Sequence, residues 1–126
     1  MSLSDTYETT TLNWLFTTGA VTRPTTWFIS LYTVAPTDST AGTEVTGGSY
    51  ARQAVTMSVT GDTASNTATI DWPAATASWG TVVAAAIMDA STGGNIIAYG
   101  TLTASKTIAS GDVFRFPAGD FDVTLN

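Results

Sequence analysis

Cysteine and histidine are both absent from this chain of 126 residues, and its cations number four: Arg23, Arg52, Lys106 and Arg115. Without cysteine no disulfide framework can staple the fold, and without either residue the commonest zinc ligands and the usual proton shuttle near neutral pH are missing. The four cations are scattered and the net charge is −6, so there is no basic stripe to neutralise phosphates. A nucleic-acid partner is therefore not expected. No apolar run approaches the roughly 18 residues of a membrane span. The opening MSLSDTYETT also lacks a cationic region followed by an apolar core. Neither membrane insertion nor secretion is expected, and no cofactor or metal is implied. Charged residues are 11% of the chain, against roughly 25% in ordinary soluble domains.

What remains is rich in Thr, Ala, Ser and Gly, with four Trp, four Tyr and five Phe in a chain that is 44% hydrophobic. That is enough apolar surface for one core, and residues 1–126 are expected to form a single β-sandwich domain. A surface of hydroxyls, amides and small apolar groups suits a protein whose faces are covered by neighbours.

The first segment reads as a short helix over residues 5–17, within an N-terminal helix or arm of residues 1–19. Asp5 is a suitable N-cap, Glu8 completes a capping-box pattern, and Gly19 is placed to end the helix. Leu12, Leu15 and Phe16 share one face. Thr9, Thr10 and Thr11 are weak helix formers, so the helix needs docking through its Leu, Trp14 and Phe16 side chains. Packing on its own domain is the direct expectation, and an arm on another subunit is the alternative.

Beyond the helix the apolar period becomes two. Residues 26–34 (TWFISLYTV) alternate as a strand, a long turn-rich loop follows Pro36, and residues 50–59 resume with Val55, Met57 and Val59 on one face. Gly61 and Asp62 mark a turn, residues 67–72 place Ala68, Ile70 and Trp72 inward, and Pro73 ends that pairing. Residues 81–89 (TVVAAAIMD) are apolar on both faces, as in a strand covered on two sides. STGGN at 91–95 is a hairpin signal into residues 95–103, and the turn ASGD precedes DVFRF and DFDVTLN. About seven or eight strands with a turn every 8–12 residues give an all-β fold, an antiparallel β-sandwich or jelly roll with one short N-terminal helix.

Few constellations could carry chemistry. Asp120 and Asp122 point to one face of the terminal strand and could act as acid and base or hold Ca²⁺, but they read as solvated charges opposite Phe121, Val123 and Leu125. Asp38 and Glu44 share the long loop without the regular acidic spacing of a calcium site. A Ser-x-x-Lys nucleophile would need serine three residues before Lys106, where Thr103 stands. Gly47, Gly48, Gly93 and Gly94 read as turn glycines, since none opens a helix after a strand with a lysine to follow. Trp27, Trp72 and Trp79 could form a sugar platform, although core packing suits them better; Trp79, between Ser78 and Gly80, is the one freest to be exposed. No catalytic, cofactor-binding or metal-binding residue is assigned.

Three blocks carry a resemblance: TWFISLYTVAP at 26–36, GTEVTGGSYARQAV at 42–55, and WPAATASWGTV at 72–82 continuing into DASTGGNIIAYGTLTASKTIASGDVFRFPAGD at 89–120. Across nearly its whole length the chain is similar to small tailed-bacteriophage virion structural proteins, usually labelled tail-fibre-like. The resemblance implies an all-β, non-enzymatic component of the phage particle, made in the host cytoplasm, and it brings no functional residues with it.

Tail fibres usually add a shaft and a receptor-binding tip, for which 126 residues leave no room. The expectation is therefore a capsid decoration (cement) protein, a homotrimer seated where copies of the major capsid protein meet and stabilising the head shell by many weak contacts. The alternative is a tail, baseplate or tail-fibre attachment component bound to other virion proteins, and behind it a carbohydrate-binding module.

Overall fold

The computed structural model describes residues 1–125. It is a β-sandwich with one helix, as the period-two pattern requires. In chain order the elements are β1 (Ser2–Leu3), α1 (Asp5–Phe16), β2 (Phe28–Val34), β3 (Thr43–Glu44), β4 (Gln53–Ala54), β5 (Met57–Thr60), β6 (Thr63–Asn66), β7 (Ile70–Asp71), β8 (Gly80–Met88), β9 (Ile96–Ile108), β10 (Arg115–Phe116) and β11 (Asp122–Thr124). Eleven strands thus replace the expected seven or eight, because several long runs break into two-residue pieces.

The larger sheet runs β1-β9-β8-β2-β3, with β4 pairing the other half of β2, and every pairing is antiparallel. The second layer is made of the sheet β11-β6-β5 and the pair β10-β7. Side chains alternate across a strand, so Ile29 and Leu31 of β2 and Ala85 and Ile87 of β8 turn to the second layer. There they meet Ile70, Trp72, Phe114 and Phe121. Trp72, Phe114, Phe116 and Phe121 stack edge to face through this core, with ring centroids 5.1–5.9 Å apart. On the other face Tyr32, Ala84, Ala86 and Met88 form a second buried cluster, against which Ala35 and Tyr99 pack. Strand β8 is therefore covered on both sides, which explains its unbroken apolar run.

Asn66 is a buried polar residue with its amide fully used: it donates to Ala68 and Pro117 and accepts from the Phe121 N–H at 2.9 Å. That one side chain pins the C-terminal segment to the second layer.

Three expectations change. The strand expected over 50–59 is interrupted: Ser49 has φ 66°, pairing begins only at Gln53, and Val59 is 75% exposed. Residues 67–69 lie outside any strand, while β6 forms just before them and pairs with β5 across the Gly61–Asp62 turn. In β9 the four residues 102–105 stand opposite the single Val83, so the strand bulges outward before pairing resumes at Lys106.

Candidate functional site

Two features stand apart from the core, a half-buried charged clasp and the N-terminal helix. The clasp ties β3 and the β3–β4 loop to the β8–β9 turn. Arg52 grips Glu44 with both arms of its guanidinium, Nε to Oε2 at 2.9 Å and a terminal nitrogen to Oε1 at 2.8 Å. Its other terminal nitrogen donates to the carbonyls of Ala90 and Gly93 in the β8–β9 turn. Tyr50 donates to Glu44 at 2.6 Å and accepts from the Leu31 N–H. With only 9% of the Arg52 side chain exposed, nearly every donor has a partner. Burial acts to raise the Glu44 pKa, but the bonds from Arg52 and Tyr50 outweigh it and hold the carboxyl below its ordinary range. For Tyr50, burial and the Glu44 carboxylate push the phenol far up.

Asp38 accepts from the Tyr99 hydroxyl, a bond that, with some burial, pushes that phenol up to about 12. Asp38 and Glu44 both line a polar cavity of about 510 Å³ beneath the β2–β3 loop, but each already holds a protein partner. Among the described residues no group of three or more carboxylates, histidines or cysteines is placed to hold a metal ion. Asp120 is exposed, and Asp122 accepts from Ser65 across the β6–β11 pair. Thr103 is exposed on the β9 bulge, while Lys106 lies 5.6 Å from the centre of the Phe114 ring. Gly47, Gly48, Gly93 and Gly94 all adopt positive φ in turns.

The tryptophans reverse the expected order. Trp79 is buried; it stacks edge-on with Tyr50 at 5.5 Å and donates its indole N–H to the Gly48 carbonyl. Trp72 is buried in the aromatic core and Trp27 is half-buried, so no sugar platform forms from these three. The exposed tryptophan is Trp14, at 69%.

Trp14 belongs to α1, and here the direct expectation fails. No residue of α1 is buried, and Leu12, Leu15 and Phe16 are 57%, 56% and 78% exposed. The helix is held at its first turn. Its cap is Ser4, one residue before the expected Asp5, because the Ser4 hydroxyl both accepts from the Tyr7 N–H and donates to the Ile96 carbonyl. The Asp5 N–H reaches the Asp38 carbonyl, and the Tyr7 hydroxyl donates to Asp89 at 2.8 Å. At its end the helix is closed by Thr17 in an extended conformation, not by Gly19. Tyr7, Thr10 and Thr11 are half-buried toward the body. Trp14 continues that face but overhangs an open cleft with Val21 and Pro24, so the last turn stands clear of the sandwich. Among the described residues no helix is long and apolar enough to cross a membrane.

A comparison with protein families matches residues 2–124 to the family described as podophage GP4 fiber I protein gp80. The chain belongs to this family. No curated protein matches it. Membership makes the protein a structural component of the phage particle, associated with other virion proteins. The structural cues that sequence reasoning missed are Tyr50 and Arg52. Their spacing after Glu44 is the one signal that could have marked them, and it gains meaning only when the β8–β9 turn is brought alongside.

Proposed function

We propose that the protein is a non-enzymatic subunit of the phage fibre apparatus, one sandwich domain over residues 1–126 joined to its neighbours through α1. Membership over residues 2–124 in a family described as a fibre protein carries this reading. The unburied apolar side chains of α1 support it, since a helix with no partner in its own chain gains stability only by docking elsewhere. A homotrimeric cement protein on the major capsid protein is the second reading. It is favoured by the low charge and by the exposed Thr and Ser side chains of the β9 bulge.

Antibody labelling of intact particles, followed by electron microscopy, separates the two. Label confined to the tail fibres at low copy number is expected. Label spread over the head lattice would overturn the fibre reading in favour of cement.

A further inference from the structure

Trp14 does not face the same way as Leu12, Leu15 and Phe16. At about 100° per residue, it falls in line with Tyr7 and Thr10, on the opposite side of α1 from those three. That side borders a cleft of about 520 Å³, walled by Trp14, Val21 and Pro24. The cleft continues into a second of about 710 Å³, where Thr6, Asn13 and Thr17 of α1 stand across from Thr22, Arg23 and Thr25. Tyr7, Thr10 and Arg23 line both, so the two form one groove. Thr6 and Thr17 lie eleven residues apart, which makes its helical wall about 16 Å long. One end is held rigid, because Asp89 accepts from the Tyr7 hydroxyl and from both the backbone and the amide of Asn95. Elsewhere in the groove the polar groups are free. Among the described residues, the side chains of Thr6, Asn13, Thr22, Arg23 and Thr25 have no hydrogen-bond or ion-pair partner within the chain.

We propose that this groove binds a short neutral oligosaccharide of gluco configuration, with one pyranose ring stacked on Trp14. Such a ring carries its hydroxyls around the rim and leaves C–H bonds on its faces. The indole, 69% exposed, offers an electron-rich surface to those C–H bonds. The unpartnered amide, guanidinium and hydroxyls supply both donors and acceptors for the rim. Each part of the groove falls within the roughly 300–1,000 Å³ of small-molecule sites. Charge and polarity exclude the other classes of small ligand. A phosphorylated ligand fits poorly, because Arg23 is the one cation among the lining residues and the chain has net charge −6. An apolar ligand would bury those amides and hydroxyls without partners, at about 1–3 kcal/mol for each.

The test uses the full chain, titrated by calorimetry with cellotetraose, maltotetraose and chitotetraose. Saturable binding of at least one, with a Kd of about 1 mM or tighter, is expected. Tryptophan emission should shift to shorter wavelength on saturation. Trp14→Ala should weaken binding roughly tenfold or more and abolish the shift, since the other three tryptophans are buried or half-buried. Its melting curve should be unchanged, because Trp14 lies outside the core. Asn13→Ala and Arg23→Gln should each weaken binding about two- to tenfold, while Leu15→Ala, on the far side of the helix, should leave it unchanged. No saturable binding of any of the three sugars at about 10 mM, tenfold above the expected limit, would overturn the proposal. So would an unchanged affinity in Trp14→Ala, or an equal loss in Leu15→Ala. None of these outcomes decides where on the particle the protein sits, which the labelling experiment reads separately.

Discussion

Arg52 and Glu44 form a two-point ion pair, with Nε 2.9 Å from Oε2 and a terminal nitrogen 2.8 Å from Oε1, half-buried against the β8–β9 turn. Removing one member of a half-buried, hydrogen-bonded pair leaves the other partly desolvated and alone, a loss of about 1–3 kcal/mol. Arg52→Ala is expected to fall in that range in urea unfolding. Arg52→Lys should recover little of it, because an ammonium cannot span Glu44 and two carbonyls together. A loss below about 1 kcal/mol for Arg52→Ala would show the pair to behave as a surface one.

Acid should loosen the same region. Burial opposes the ionised forms of Glu44 and Asp89, but hydrogen bonds hold both pKa values below the ordinary 4.5 and 3.8. A carboxyl with a depressed folded-state pKa contributes stability above its unfolded value and loses it as pH falls through the folded one. The melting temperature should be level from about pH 8 to pH 5 and decline below about pH 4. Glu44→Gln and Asp89→Asn should each make the decline shallower. A melting temperature unchanged down to about pH 2.5 would contradict the assignment.

Two adjacent glycines should respond differently to alanine. Gly47 (φ +75°) faces open space, so Gly47→Ala meets only the left-handed backbone penalty of roughly 1–2 kcal/mol. At Gly48 (φ +57°) a methyl would sit 2.8 Å from both the Ala77 carbonyl oxygen and the Trp79 indole nitrogen. Gly48→Ala is expected to cost on the order of 3–4 kcal/mol and to disturb Trp79 fluorescence. Equal losses at the two sites would rule out the clash.

A buried and an exposed leucine give the fourth contrast. Leu31 is fully buried and Leu12 is mostly exposed. Leu31→Ala should cost about 2–5 kcal/mol. Leu12→Ser, measured at protein concentrations low enough to keep copies apart, should stay within about 0.5 kcal/mol. A large loss at Leu12 under those conditions would mean that α1 packs on its own sandwich after all.

The long strands were legible from their side chains: Phe28–Val34 puts Ile29 and Leu31 toward the core, and Ala84–Met88 is apolar on both faces because both are buried. The segment around Tyr50 and Arg52 was not, because those side chains turn to Glu44 and to the carbonyls of Ala90 and Gly93 instead of following the pleat. Trp79 misled for a similar reason. Small neighbours suggested exposure, while its deciding partner is a carbonyl 31 residues away. For α1 the periodicity located the helix correctly, but a face at helical spacing does not say whose surface it meets.

The pairing of Ser2 with Tyr99 gives the polypeptide an awkward order of events. Ser2 and Leu3 must wait for a strand about a hundred residues later, an interval on the order of 5–20 s at ordinary synthesis rates. Throughout it Leu12, Leu15 and Phe16 are solvent-facing whether or not the chain has begun to fold. Nascent copies on neighbouring ribosomes therefore display the same apolar last turn before any sandwich has formed. Threonines at 9, 10 and 11 and carboxylates at 5 and 8 keep that segment polar over most of its length, which favours solubility during synthesis at the expense of a stronger helix.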